Sequence, residues 1–191
     1  MSRLSPELAA LDEATGYKLR AKQGVPTPLL DLRVVGQQGD VAHDDQSSGE
    51  VLVRGPWIAD EYSGGQTQER WTSDGYFRTG DVATVDQYGF VRLVDRVADL
   101  IKSGGEWIAS ATIETALMDH PAVREAAVIG IPDAKWSERP IAVVAFKPGA
   151  SASPDELRAF LAEKFPKFWL PDAFEVIDAI PRTSTGKFQK T

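Results

Sequence analysis

Short apolar runs separated by Gly, Pro and acidic residues fill the first half of the chain. Runs that are rich in β-branched residues and end at turn-forming residues are typical of strands. They predict strands over Leu32–Val35, Glu50–Val53, Val82–Val85 and Phe90–Val94. Residues 1–30 are punctuated by Gly and Pro and are expected to be irregular, and Asp60–Gly80 is expected to be a loop. The first half is therefore predicted to be a small β-rich unit with long connections.

The second half has a different pattern, in which helical spacing alternates with continuous apolar runs. Apolar positions over Ser110–Asp119 predict a helix with Ser110 as a candidate N-cap. A second helix is predicted over Ser153–Phe165, because Ser153, Pro154 and Glu156 form a capping box with proline at the first helical position. The continuous apolar runs predict buried strands over Glu125–Ile131, Ile141–Phe146 and Phe174–Ile177.

These elements predict an α+β protein: a truncated β-rich subdomain followed by a compact α+β domain. The pattern changes near residues 95–99, which places the predicted boundary between a unit of residues 1–95 and a unit of residues 96–191.

Composition and charge restrict the possible chemistry. The chain has no Cys and only two His residues, which excludes a Cys nucleophile and argues against a His-rich or Cys-rich metal site. The net charge of −7 argues against nucleic acid as a partner. No apolar run approaches the ~20 residues of a membrane-spanning helix, and the first residues lack the apolar stretch of a signal peptide. A soluble, cytoplasmic protein without an integral membrane segment is expected.

Three segments carry residues with possible chemistry, although each has a simpler interpretation. Asp81 follows a Gly and could accept hydrogen bonds from ribose hydroxyls, or could simply end a loop before a strand. Arg96 and Lys102 flank the Gly104–Gly105 pair, which could approach a ligand closely or could form an ordinary hairpin turn. Lys187 ends a Thr/Ser/Gly loop, and is either a cation for a reacting anion or a solvated tail residue. Together with Arg182 and Lys190, it makes the end of the chain locally basic.

The order and spacing of these segments are more informative than any one of them. The sequence runs from TGD at residues 79–81 to DR at residues 95–96, then to KSGGEWI at 102–108 and PRTSTGK at 181–187. The segments EVLVRGP at 50–56 and HPAV at 120–123 fit the same pattern. Over essentially its whole length the chain resembles the C-terminal part of the adenylate-forming superfamily, and KSGGEWI is most similar to fatty-acyl-CoA synthetases.

The resemblance implies an AMP-forming reaction in two steps, with ATP, Mg²⁺ and coenzyme A as cofactors and a carboxylic acid as substrate. Asp81 and Arg96 would contact ribose or phosphate, and Lys187 would be the catalytic cation of the adenylation step. A hinge at about residues 95–99 would let a C-terminal lid turn between the two steps. Lys102, Gly104, Gly105, Glu106 and Trp107 would then face the path of the coenzyme A thiol. Ala98 occupies a hinge position where relatives usually carry a charged residue, so the role of that charged side chain is not assigned to this chain.

The sequence also departs from the family by omission. The upstream phosphate loop and the Y-G-x-T-E motif are not found, so the chain is expected to be a C-terminal fragment that is inactive without a large N-terminal domain. Strands separated from that domain could pair in a homo-oligomer. Two alternatives stay open: an adenylation enzyme that loads a carrier protein, and a non-catalytic α+β binding module.

Overall fold

The computed structural model describes residues 4–61, 68–186 and 188–190. Within these ranges the chain divides into two compact units, Met1–Val97 and Ala98–Thr191. The division falls inside the 95–99 segment. The helices and strands, numbered in chain order, are α1 Pro6–Ala9, α2 Glu13–Arg20, β1 Asp31–Gly36, β2 Gly39–Asp40, β3 Ser48–Arg54, β4 Phe77–Val85, β5 Val91–Arg96, β6 Ile101–Ser103, β7 Glu106–Ile108, α3 Ser110–Met118, β8 Val123–Asp133, β9 Ser137–Phe146, α4 Pro154–Ala162 and β10 Ala173–Val176. Short 3-10 turns cover Gln68–Arg70 and Lys167–Trp169.

The first unit is an antiparallel sheet in the order β2-β1-β3-β4-β5. Its apolar face buries a small cluster that includes Val34, Val51, Phe77 and Val85. The apolar, β-branched runs that predicted β1, β3 and β5 supply Val34, Val51 and Val91 to this cluster, so those predictions are confirmed.

Two predictions for the first unit are wrong. The segment expected to be irregular contains α2, which begins at the Asp12 N-cap, where the side chain accepts a hydrogen bond from the Thr15 amide. Burial of Leu19 stabilises this helix and outweighs the helix-breaking Gly16. In addition, the predicted loop ends earlier than expected, because β4 begins at Phe77 and runs through Gly80.

The second unit is a mixed sheet in the order β10-β9-β6-β7, with β8 paired to β9. β8 and β9 form a long antiparallel ladder, while β10 joins β9 in parallel. The helices α3 and α4 supply Ile113, Leu117, Leu157 and Leu161 to a core whose side chains are almost completely buried. The predicted strands and both predicted helices of this unit are confirmed, as is the α+β class.

The caps of the two helices differ. The Ser153 capping box at α4 has both of its reciprocal hydrogen bonds. At α3, however, Ala109 occupies the N-cap and makes no side-chain cap, so the assignment of Ser110 as the N-cap is wrong. Ser110 is instead the first helical residue; it is buried, and its hydroxyl accepts a hydrogen bond from Lys190. In the described part of the chain, no helix is both long and apolar enough to cross a membrane.

Candidate functional site

Asp81 and Arg96 face each other across the β4–β5 ladder. They are direct Cα partners in the antiparallel register, and Arg96 Nε lies 3.4 Å from Asp81 Oδ1. Both side chains keep much of their surface in solvent. The structure therefore brings together two residues that the sequence analysis singled out separately. A solvent-facing carboxylate beside a guanidinium can accept hydrogen bonds from vicinal hydroxyls while the guanidinium donates to neighbouring oxygens.

The backbone around Asp81 is shaped by Gly80, whose φ of 76° lies in the left-handed region. The Gly80 carbonyl accepts a hydrogen bond from the Val97 amide at 2.9 Å, and the Asp81 amide donates to Thr79 Oγ1 at 3.1 Å. The register shifts between Val82 and the next residue, as at a β-bulge. Such irregularities turn a side chain away from the regular pleat. Asp81 thus lies within a distorted strand and not, as predicted, at the end of a loop.

The Gly104–Gly105 pair forms the two-residue turn of the β6–β7 hairpin, which confirms the simpler interpretation of this segment. Both glycines have positive φ, 61° and 86°, as a two-residue turn of this kind requires. A Cβ on Gly104 would lie 2.9 Å from the Trp136 ring, whereas a Cβ on Gly105 would meet nothing within 4 Å. The turn therefore packs on one side and faces open space on the other.

The other predicted residues of this hairpin lie on its two strands. Lys102 and Trp107 are cross-strand partners, and Glu106 pairs with Ser103. Lys102 and Glu106 are exposed, while Trp107 is half-buried. The Lys102 amide donates to Glu138 Oε2 at 2.8 Å, which ties the hairpin to β9.

A cavity of about 530 Å³ opens beside this turn, entirely within the second unit. Aromatic and cationic side chains dominate its lining, together with two acidic residues and the hairpin itself. The lining residues are Ser103, Gly104, Glu106, Trp136, Arg139, Arg158, Lys167, Phe168, Leu170 and Asp172. Sequence reasoning missed the residues from Trp136 onward. No local motif marks them, because three separate segments of the chain supply them.

Arg139 organises the wall of this cavity. Its guanidinium, only 12% exposed, forms a fork with the Asp172 carboxylate at 2.7 and 3.0 Å. It also donates to Ser103 Oγ and to the main-chain carbonyls of Phe168 and Leu170. The hydrogen bonds from Arg139 hold the pKa of the Asp172 carboxyl below its ordinary value of 3.8. Arg139 therefore links the glycine turn to the 168–172 segment, and its donors are used within the protein.

The cavity retains other groups that a ligand could contact. Trp136 and Phe168 are 43% and 44% exposed. Lys167 is exposed, and Arg158 is half-buried with one hydrogen bond to the Asp172 main-chain carbonyl. Exposed rings beside cations suit an aromatic heterocycle that carries phosphate groups.

Lys187 lies outside the described residues. Its neighbours Arg182 and Lys190, expected together with it to meet an anionic ligand, are instead paired with carboxylates of the protein. Arg182 lies 2.8 Å from Glu125, and Lys190 lies 2.7 Å from Glu114. The hydrogen bond from Arg182 lowers the pKa of Glu125 from its ordinary value of 4.5. Two of the three predicted cations are therefore committed to intramolecular ion pairs.

The described residues contain no cluster of three His, Cys, Asp or Glu side chains that could hold a metal ion.

Comparisons with known proteins show the family of the chain. Residues 112–187 match the model of the AMP-binding enzyme C-terminal domain. A long-chain-fatty-acid–CoA ligase of Thermus thermophilus is 49% identical over 187 residues, which cover 96% of this chain and 34% of that protein. A 3-methylmercaptopropionyl-CoA ligase of Ruegeria lacuscaerulensis is 43% identical, over 91% of this chain and 32% of that protein.

A solved structure of o-succinylbenzoate CoA synthetase from Bacillus subtilis, in complex with its acyl-adenylate intermediate, superimposes with a TM-score of 0.79. It is 31% identical and covers 97% of this chain and 36% of its own length. The chain thus spans about a third of the length of these relatives. In sequence and in fold, the chain belongs to the AMP-binding, adenylate-forming enzymes, and its residues 112–187 form the C-terminal domain typical of that family.

Proposed function

We propose that this chain supplies part of the active site of an AMP-forming acid–thiol ligase that activates a fatty acid with ATP and passes the acyl group to coenzyme A. In the first step, a carboxylate oxygen attacks the α-phosphorus of ATP, the bond to the β-phosphate breaks and pyrophosphate leaves. In the second step, the thiol loses its proton to solvent, its sulfur attacks the acyl carbon, and AMP leaves with the electrons of the broken C–O bond. Mg²⁺ would accompany ATP, and we assign it no ligand in the described part of the chain.

The pairing of Asp81 with Arg96 is the observation that carries this proposal. The carboxylate would accept hydrogen bonds from the ribose hydroxyls, and the guanidinium would donate to ribose or phosphate oxygens. The side chain of Lys187 would stabilise the charge that develops on the reacting oxygens, since a positioned cation acts on such a transition state by electrostatics. The choice of a fatty acid follows the 49% identical relative, which is named a long-chain-fatty-acid–CoA ligase.

The glycine turn and the adjoining cavity are assigned to coenzyme A. The open side of Gly105 would admit the slender pantetheine arm, because nothing lies within 4 Å of its Cβ position. The nucleotide end would stack on Trp136 or Phe168, with its phosphates near Lys167. Lys102, Glu106 and Trp107 would flank this path on the hairpin strands.

The test uses a protein that joins this chain to the preceding two thirds of the Thermus thermophilus relative. ATP–pyrophosphate exchange reports the first step, and acyl-CoA formation with fatty acids of different lengths reports the second. Asp81→Asn is expected to raise the KM for ATP by about tenfold or more, because hydrogen bonds to a charged group are worth about 1.5–3 kcal/mol. Asp60→Asn, at an exposed aspartate of the same unit, is the matched control. Equal KM values for the two variants would contradict the assignment of Asp81.

A second variant addresses the thiol step. Lys167→Ala is expected to raise the KM for coenzyme A several-fold while the exchange reaction keeps its rate, because one exposed phosphate contact is lost. Lys164→Ala serves as the control, since Lys164 lies outside the cavity and pairs with Asp119. If the joined protein transfers the acyl group to a carrier protein in preference to coenzyme A, the alternative of a carrier-protein-loading enzyme is favoured. The unjoined chain is predicted to release no pyrophosphate.

A further inference from the structure

The residues on either side of Lys187 are held by the rest of the second unit. Gly186 closes a turn through a hydrogen bond from its amide to the Thr183 carbonyl at 2.9 Å. Phe188 forms an isolated β-bridge with Arg182, and the Gln189 amide donates to the Pro181 carbonyl at 2.8 Å. Residues 181–183 are therefore tied to Gly186 on one side of Lys187 and to Phe188 and Gln189 on the other.

Arg182 contacts both sequence neighbours of Lys187. Its Nη1 donates to the Gly186 carbonyl at 2.8 Å, and its guanidinium carbon lies 4.6 Å from the centre of the Phe188 ring. Its Nη2 donates to Glu125 Oε1 on β8 at 2.8 Å. One planar side chain thus joins the loop to the central ladder of the sheet.

Lys190 anchors the returning strand more deeply. Its ammonium lies 2.7 Å from Glu114 Oε1 and donates to Ser110 Oγ at 2.8 Å, so both contacts lie on α3. The Lys190 and Glu114 side chains are only 16% and 10% exposed. Glu114 Oε1 also accepts the Val128 amide at 2.7 Å, which ties the same carboxylate to β8.

A buried ion pair of this kind is not explained by stability alone. Well-packed apolar side chains of similar volume often stabilise a protein as much or more, whereas a paired charge specifies one geometry. The Lys190–Glu114 pair lies three residues beyond Lys187, and Arg182 lies five residues before it. Arg182 and Lys190 thus lie on either side, in the sequence, of the lysine that the proposed adenylation step needs.

We infer that Arg182 and Lys190 are positioning residues that fix the chain on both sides of Lys187 for acyl-adenylate formation. This inference rests on the proposed function. The side chains of Arg182 and Lys190 are paired with Glu125 and Glu114, so we assign them a positioning role and no contact with the substrate. They act through the backbone on each side of Lys187, so their loss is expected to slow the first step and to spare the second.

The anchoring itself can be tested on the 191-residue chain alone. Lys190→Met and Glu114→Gln each remove the ion pair, while Lys190→Arg keeps the charge. Hydrogen–deuterium exchange of the peptide covering residues 183–190 is expected to accelerate about tenfold or more in the first two variants, because local opening becomes easier. It is expected to stay near the wild-type rate in the third variant. Lys147→Met, which loses only a hydrogen bond to the Pro121 carbonyl, is the matched control.

The catalytic consequence is measured in the joined protein described above, by two half-reactions. Lys190→Met is expected to lower ATP–pyrophosphate exchange by about a hundredfold, since a displacement of about 1 Å can cost that much. Transfer from supplied acyl-adenylate to coenzyme A is expected to change by less than about threefold. Lys190→Arg is expected to restore the exchange rate, and the Glu114→Gln/Lys190→Met double variant is expected to be no slower than either single variant.

The outcomes separate the inference from the function on which it rests. If the joined wild-type protein shows no ATP–pyrophosphate exchange although it transfers the acyl group to coenzyme A, the assigned adenylation chemistry is refuted. Hydrogen–deuterium exchange of the 191-residue chain would then still decide whether the anchor exists. Exchange activity that survives in Lys190→Met would overturn the positioning role. Equal loss of both half-reactions together with a lower melting temperature would also overturn it, because that is the result of a purely structural residue.

Discussion

Arg139 offers a quantitative test of how the cavity wall is built. Replacing it with Met removes the fork to Asp172 and the hydrogen bonds to Ser103 and to two main-chain carbonyls. Breaking a buried ion pair from one side costs about 3–5 kcal/mol, because the partner charge loses its compensation. Asp172 is 51% exposed and can regain water, so we take a lower cost, about 2–3 kcal/mol.

The assay is urea unfolding of the 191-residue chain, followed by tryptophan fluorescence in a background where Trp57 and Trp71 of the first unit are replaced by Phe, so that the signal comes from the second unit. Arg139→Lys is expected to lose an intermediate amount, since an ammonium cannot reproduce the two-point fork. Arg124→Met is the control, because Arg124 is exposed and donates its hydrogen bond to the main-chain carbonyl of Asp178. A loss below about 0.5 kcal/mol for Arg139→Met, the size of an ordinary surface change, would refute the reasoning.

The same ion pair predicts a pH dependence. The hydrogen bonds from Arg139 lower the pKa of Asp172, so the folded state binds this proton less readily than the unfolded chain does. The stabilisation is therefore complete above the unfolded pKa of about 4 and is lost as the pH falls through the lower folded value. The free-energy difference between the wild type and Asp172→Asn is expected to shrink as the pH is lowered from 6 towards 3. A constant difference would contradict this linkage.

Other variants test single contacts by chemical unfolding. Gly104→Ala and Gly105→Ala are each expected to lower the free energy of unfolding by about 1–2 kcal/mol, because both positions have positive φ. Gly104→Ala is expected to cost more, because its Cβ would lie 2.9 Å from the Trp136 ring. Equal losses of stability would contradict that contact. Ser153→Ala is expected to destabilise the second unit by about 1 kcal/mol through loss of the capping box, and no change would show that the cap contributes nothing. Lys22→Met is expected to lower the free energy of unfolding of the first unit by about 3–5 kcal/mol, because the buried Lys22 ammonium pairs with both Asp45 and Asp86. A loss of stability smaller than that of Ser153→Ala would refute this.

Much of the fold could be predicted from the sequence because it depends on local rules. The capping box at Ser153 and the apolar, β-branched runs of β1 and β3 involve residues that are close in the chain. The exceptions were positions where a tertiary contact outweighs local preference. The Gly16-containing helix is stabilised by burial of Leu19, and Gly80 remains in a strand because its carbonyl pairs with Val97.

The candidate site divides in the same way. Asp81, Arg96 and the Gly104–Gly105 turn were predictable, because each lies in a short segment whose order along the chain resembles one family. The residues of the cavity wall were not, since Trp136, Arg139 and Lys167 carry no shared local pattern.

The sequence by itself determined the α+β class, most of the strands and the family resemblance, because periodicity, caps and short motifs are properties of neighbouring residues. Only the tertiary structure decided which charges are available to a ligand. Arg182 and Lys190 looked like free cations in the sequence, yet Glu125 and Glu114 bind them from 57 and 76 residues away along the chain. The physical reason is that an ion pair depends on distance in space, which the folding of β8 and α3 sets and which no local pattern records.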